Sequence, residues 1–146
     1  RKEQIKDQLM SLGLRVHMHY PKTKIDKKTD IYLVNSFGKT KSFYSIIKNV
    51  FLGGSLINHG GQNPLEAVRH DCNILHGPNV SNFYEIYKFL NRQNISKKIL
   101  NVNQAANILD KLISFKKTKN NIKKKINLIG QKILKKNMNE INLILK

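Results

Sequence analysis

Asn49–Glu66 reads NVFLGGSLINHGGQNPLE, and the order of its parts decides the fold. It opens on a short apolar run, Val50-Phe51-Leu52, too short for a helix and bounded at once by Gly53-Gly54. That pattern predicts a buried strand running into a tight turn. A second glycine pair, Gly60-Gly61, follows in a loop. Asn63-Pro64-Leu65-Glu66 then reads as a helix start. Asn63 suits the N-cap, Pro64 the first helical position, and Glu66 sits three residues after the cap, as in a capping box. Strand, glycine-rich loop and helix N-terminus in that order make an anion site. Glycines let backbone N–H groups approach a phosphate, and the unpaired N–H groups of a first helical turn point at it. From the residues alone, this turn is expected to take a phosphate-type ligand.

Downstream, the helix is expected to run from about Pro64 to His70, with Asn73–Leu75 as the next strand, broken by His76-Gly77-Pro78. Ser81 would cap a helix of about Asn82–Asn91 with Phe83, Ile86, Phe89 and Leu90 on one side. Lys98–Val102 reads as a last short strand, and Asn103–Phe115 as a helix facing inward with Ala106, Leu109, Leu112 and Ile113. From Lys119 onward Ile122, Ile126, Ile129 and Ile133 recur at helical spacing among lysines. Gly130 interrupts that run and Asn137–Asn139 marks a break. The segment reads either as a membrane-surface helix or as a terminal helix packed on protein. Upstream, Lys2–Leu12 is a helix with Gly13 after it. Leu14–His19 alternates as a strand with His17 and His19 on its surface, and Pro21–Asp30 is a lysine-rich loop. Ile31–Val34 is a short strand. Lys41–Lys48 is a short helix with Phe43, Ile46 and Ile47 inward.

Alternating short strands and helices imply an α/β domain, Rossmann-like, with a mainly parallel sheet flanked by helices and amphipathic helices at its C-terminus. Ligands in such folds sit beyond the carboxyl ends of strands, where the glycine pair after Leu52 and the break after Leu75 both fall. The expected bounds are 1–115 for this α/β domain and 116–146 for a lysine-rich helical extension of it.

A chain of 146 residues with 40% hydrophobic content is long enough to bury one core. No apolar run is long enough to span a bilayer, and the first residues do not read as a signal peptide. The chain starts at Arg1 and enters a helical pattern at once, so it is expected to be a fragment lacking an N-terminal partner domain. The single cysteine, Cys72, excludes an internal disulfide and a cysteine metal cage, and its apolar surroundings predict a buried thiol. No metal site is expected. The net charge of +18, from 27 basic and 9 acidic residues, raises nucleic acid and anionic lipid as partners. The lysines do not interleave with aromatics as a base-stacking platform requires, so no nucleic-acid partner is expected. An abundance of lysine, asparagine and isoleucine is also what an AT-rich genome encodes. Anionic headgroups fit better, at about 1 kcal/mol for each lysine near the surface.

Three elements in order, GGS (53–55), HGGQNPLE (59–66) and HGPNVSNF (76–83), closely resemble the C-terminal domain of the Kdo transferases. These enzymes move 3-deoxy-D-manno-octulosonic acid (Kdo) from CMP-Kdo to a lipid A precursor. The resemblance runs from about Ile31 to Leu90. The family pattern is GGS, then GG-x-NPLEP, then GP-x-x-x-NF, and Gly77, Pro78, Asn82 and Phe83 match its last part. The resemblance implies the C-terminal half of a GT-B glycosyltransferase at the cytoplasmic face of the bacterial inner membrane, in lipopolysaccharide biosynthesis. It implies inverting transfer to lipid IVA without a metal or other cofactor, the donor substrate being CMP-Kdo. The general base would lie in the missing N-terminal domain, so no catalytic residue is assigned here.

On the same resemblance, Gly53, Gly54 and Ser55 would present backbone N–H groups and a hydroxyl to the CMP phosphate, and Gly60 and Gly61 would keep the loop close to the donor. Glu66 would accept hydrogen bonds from the ribose hydroxyls, for which an acceptor-only carboxylate is suited. Asn63 reads equally as donor ligand and as cap, Asn82 likewise, and His59 would meet the donor's anionic groups. Arg1 would be the remnant of a basic motif. One departure stands out. Where the family carries an aspartate-threonine pair and then a glycine-glutamate pair, this chain has Asn35-Ser36-Phe37-Gly38-Lys39-Thr40. The acidic residues' role cannot be carried over, and Lys39 reads as a solvated lysine or a phosphate partner. Two alternatives remain open: another GT-B nucleotide-sugar transferase, and a non-enzymatic basic module for anions or nucleic acid.

Overall fold

The computed structural model describes residues 1–114 and 122–144, and the chain forms two compact units, Arg1–Thr40 and Lys41–Lys146. In the first unit α1 (Lys2–Ser11) leads to two short parallel strands, β1 (Val16–Met18) and β2 (Ile31–Leu33), with Val16 opposite Ile31 and Met18 opposite Leu33. The entry to this pair is clamped by a fork-to-fork contact. Arg15 donates Nε to Asp30 Oδ2 at 2.8 Å and Nη2 to Oδ1 at 2.7 Å. That contact holds the Asp30 carboxyl well below the usual carboxylate range. His17 and His19, expected on an open strand surface, are half-buried around Tyr32, whose ring stacks on His17 at 5.5 Å between centroids.

The second unit carries a three-stranded parallel sheet in the order β3 (Asn49–Leu52), β4 (Asn73–His76), β5 (Ser96–Lys98). Asn49 lies opposite Asn73 and Leu52 opposite His76; Ile74 lies opposite Ser96 and His76 opposite Lys98. The crossovers are helical, through α3 (Leu65–Arg69) and α4 (Tyr84–Arg92), as parallel pairing requires. β4 is central and buried at all four positions, so its side chains anchor the unit. Around Ile74 pack Val50, Leu52, Val68, Tyr87 and Leu90. Burying each such side chain contributes about 1.5–3 kcal/mol.

Both crossover helices stop by one device. Asp71 (φ +58°) and Asn94 (φ +56°) take left-handed conformations after α3 and α4. The N–H of the next residue then reaches back, Cys72 to Ala67 O at 3.1 Å and Ile95 to Leu90 O at 3.0 Å. Cys72 and Ile95 are buried, so each stop delivers the chain directly into the next strand.

Several boundaries differ from the sequence reading. The last strand is Ser96–Lys98 rather than Lys98–Val102, because the Asn94 turn brings the chain to the sheet earlier. In α2 (Thr40–Ile46) Tyr44 is the buried residue, whereas Ile46 is 72% exposed and Ile47 also exposed, so the inward face is turned from the one expected. Ser81 makes no capping hydrogen bond; Ser81–Phe83 is a 3-10 turn leading into α4. α5 spans Val102–Ser114, and α6 (Ile122–Ile144) is continuous through Gly130 and Asn137–Asn139. A helical glycine costs about 1 kcal/mol, which a 23-residue helix absorbs. Ile126 packs against the core and α6 runs against α3; the side chains of Ile122, Ile129 and Ile133 lie outside the described residues. No helix among the described residues is long and apolar enough to cross a membrane.

Candidate functional site

The carboxyl ends of β3 and β4 each release a loop, and the two loops are locked together. The first, residues 53–64, leaves β3 at Gly53 and folds back through Gly54 (φ +69°) and Gly60 (φ +83°), conformations that favour glycine. Gly61 N–H closes it on Gly54 O at 3.2 Å. The second, residues 77–80, leaves β4 at Gly77. Here steric room rather than dihedral freedom demands glycine, since a Cβ would lie 2.1 Å from Ser55 O. Asn79 N–H donates to Ser55 O at 2.9 Å, and Asn82 N–H to Gly60 O at 3.2 Å.

Ser55 is the pin of this arrangement. It is wholly buried, donates its hydroxyl to Leu52 O at 2.6 Å and accepts Gly77 N–H at 2.8 Å. The hydroxyl expected to face a phosphate is therefore engaged between the two strand ends. The Gly53 and Gly54 N–H groups, in contrast, donate to no acceptor among the described residues and lie at the surface. They are N–H groups that the turn leaves without a protein acceptor, of the kind that can bind an anion.

At the start of α3 the expected cap is shifted. Pro64 holds the cap position, and Asn63 Oδ1 accepts from Leu65 N–H at 3.0 Å as an Asx-type turn. Glu66 is exposed and makes no hydrogen bond or ion pair among the described residues, so the capping box is not closed. α3 has only five residues and offers little aligned dipole. His59 is exposed with its ring against Gly54, where a Cβ would stand 3.1 Å from His59 Cδ2. The Asn82 side chain lies over Gly60, which a Cβ there would overlap at 2.4 Å. The structure thus gathers Gly53, Gly54, His59, Gly60, Gly61, Asn63, Glu66 and Asn82 on the two loops and the α3 start. Asn35, Lys39 and Arg1 belong to the other unit.

Beneath the loops lies a buried layer that the motif reading passes over. His76 is 1% exposed, with Nδ1 2.7 Å from Gly77 O and Nε2 3.3 Å from Asn91 Oδ1. Its ring meets that of Tyr87 at 4.3 Å between centroids, and Tyr87 donates its hydroxyl to Gln62 O at 2.8 Å. Ser96 donates to Asn91 Oδ1 at 2.6 Å. Burial lowers the His76 pKa against the opposing pull of its two hydrogen bonds, with Lys98 adding repulsion. Burial also pushes the Tyr87 phenol up to about 12. Tyr87 was findable: Phe83, Tyr87 and Leu90 share one helical stripe. No cluster of three or more metal-binding side chains occurs among the described residues.

No family model matches the chain. Among curated proteins it is 28% identical over 120 residues to the 3-deoxy-D-manno-octulosonic acid transferase of Haemophilus influenzae, an alignment covering 82% of this chain and 27% of that protein. It is 30% identical over 88 residues to the enzyme of the same name from Aquifex aeolicus, covering 60% of this chain and 25% of that protein. The chain thus spans about a quarter of the length of these relatives, 27% and 25%. Among solved structures, it matches the C-terminal CMP-Kdo binding domain of WaaA from Acinetobacter baumannii with a TM-score of 0.68 and 27% identity, over 74% of this chain and 56% of that one. By sequence and by fold, this chain is similar to the C-terminal domain of Kdo transferases.

Proposed function

We propose that this chain is the donor-binding part of a glycosyltransferase that moves Kdo from CMP-Kdo to a lipid A precursor, lipid IVA, in lipopolysaccharide biosynthesis at the cytoplasmic face of the inner membrane. The observation that carries the reading is the pair of N–H groups on Gly53 and Gly54 that donate to no acceptor among the described residues, on the loop that leads to the exposed carboxylate of Glu66 at the start of α3. A phosphate and a ribose diol fit these two features in that order: amide donors for the anion, an acceptor for the hydroxyls. The named relatives and the solved domain support the choice of donor. Asn82 and His59 border the same loop and complete the donor surface; Ser55, held between strand ends, sets its shape.

No residue here is assigned as the catalytic base, which is proposed to lie outside these residues together with the acceptor site. Donor and acceptor chemistry would then be divided between two bodies, and the 146-residue chain alone would bind CMP without transferring sugar. The test is a titration with CMP against UDP over a range of salt. Saturable binding that favours CMP and survives moderate salt is expected. Equal affinity for UDP would favour another nucleotide-sugar transferase. Salt-steep binding to any polyanion would overturn the reading in favour of a basic anion-binding module.

A further inference from the structure

We propose that His76 is a positioning residue of the donor site, an imidazole that fixes the Gly77 carbonyl and, through Gly77, the Gly53–Ser55 turn. The inference deepens the donor-site reading and rests on it.

The chain of contacts is short and buried throughout. A carbonyl oxygen only accepts, so the 2.7 Å contact places a proton on His76 Nδ1, which donates to Gly77 O. Gly77 O belongs to the Gly77–Pro78 peptide; across the Gly77 Cα, the His76–Gly77 peptide donates its N–H to Ser55 Oγ at 2.8 Å, and Ser55 Oγ in turn donates to Leu52 O at 2.6 Å. The ring therefore fixes the carbonyl side of Gly77, a residue whose approach to Ser55 leaves no room for a Cβ. A shift of Gly77 moves Ser55, and Ser55 is the residue after the two free N–H groups. Tyr87, its ring tilted against the same imidazole, holds Gln62 O and with it the other end of the glycine loop. One buried pair thus supports both ends of the loop. On the far side of the ring Nε2 lies 3.3 Å from the Asn91 side-chain amide of α4, which also receives Ser96 Oγ of β5 at 2.6 Å.

Two substitutions separate the two edges of the ring. In His76→Asn the side-chain amide nitrogen falls near the position of Nδ1 and can still donate to Gly77 O. In His76→Gln it falls near Nε2 and keeps only the Asn91 side. Both variants are polar and both remove the ring, so general destabilisation affects them alike. Two readouts are taken on each folded chain: CMP affinity by calorimetry, and amide hydrogen exchange at residues 53–61. The expected result is near-native affinity and protection in His76→Asn, with about tenfold weaker CMP binding and faster exchange in His76→Gln. Equal behaviour of the two variants, or better retention in His76→Gln, would overturn the proposal. If the native chain does not bind CMP, the donor-site reading fails, and the exchange comparison still decides whether His76 positions the loop.

Discussion

Gly77→Ala is the most incisive perturbation of the account, because its effect follows from one distance. The added Cβ would stand 2.1 Å from Ser55 O, 2.4 Å from Ser55 C and 2.6 Å from Leu56 N. All three are backbone atoms, so no side chain can swing aside. Relief to ordinary contact requires the loops to part by about 1 Å, which strains the packing by about 1–3 kcal/mol. Parting also stretches two buried hydrogen bonds, Gly77 N–H to Ser55 Oγ and Asn79 N–H to Ser55 O, each costing about 1–3 kcal/mol if lost. A loss of about 3 kcal/mol is therefore expected. With a urea m-value of about 2 kcal/mol/M, the unfolding midpoint should fall by about 1.5 M. Gly53→Ala is the control: no atom lies within 4 Å of its Cβ position, and its midpoint should change by no more than about 0.5 kcal/mol equivalent. If Gly77→Ala unfolds with the same midpoint as Gly53→Ala, the two loops are not packed as described and the reasoning fails.

Ser55→Ala should destabilise by about 1–3 kcal/mol in the same urea assay, since it leaves Leu52 O and Gly77 N–H buried without their shared partner. Stability should also depend on the His76 proton. Its folded pKa lies below the ordinary 6.5, so the unfolded chain takes up that proton first as pH falls. Its contribution is complete above about pH 6.5 and is lost as pH drops towards the folded value. Unfolding midpoints between pH 5 and 7.5 should show this slope, and the slope should be reduced in His76→Asn. Cys72, wholly buried against the Tyr44 and Ile47 carbonyls, should resist a thiol reagent in the native chain and react fully in urea. Rapid native labelling would contradict its placement.

The strand–glycine–helix order of Asn49–Glu66 was legible because each of its parts is a local signal. Val50 and Leu52 point inward, Gly54 and Gly60 take positive φ, and the helix starts beside Asn63. The parallel β3–β4 pairing followed from the alternation of elements. What the sequence could not show was long-range. Ser55 reads as a free hydroxyl until Gly77, 22 residues later, is seen to donate to it. His76 reads as a strand-end break, because the Tyr87 ring and Asn91 that bury it come from the next helix. The inward face of α2 was misread for a similar reason: Tyr44 and Ile46 are both apolar enough, and only the position of the core chooses between them.

Glu66 carries the central claim, since its carboxylate is exposed and makes no hydrogen bond or ion pair among the described residues. The decisive measurement is a calorimetric titration with CMP of the native chain and of Glu66→Ala, run beside urea unfolding of both. Unchanged stability with saturable CMP binding that is lost in the variant is the predicted result. Binding of equal strength in Glu66→Ala would contradict it, removing the ribose acceptor from this helix start.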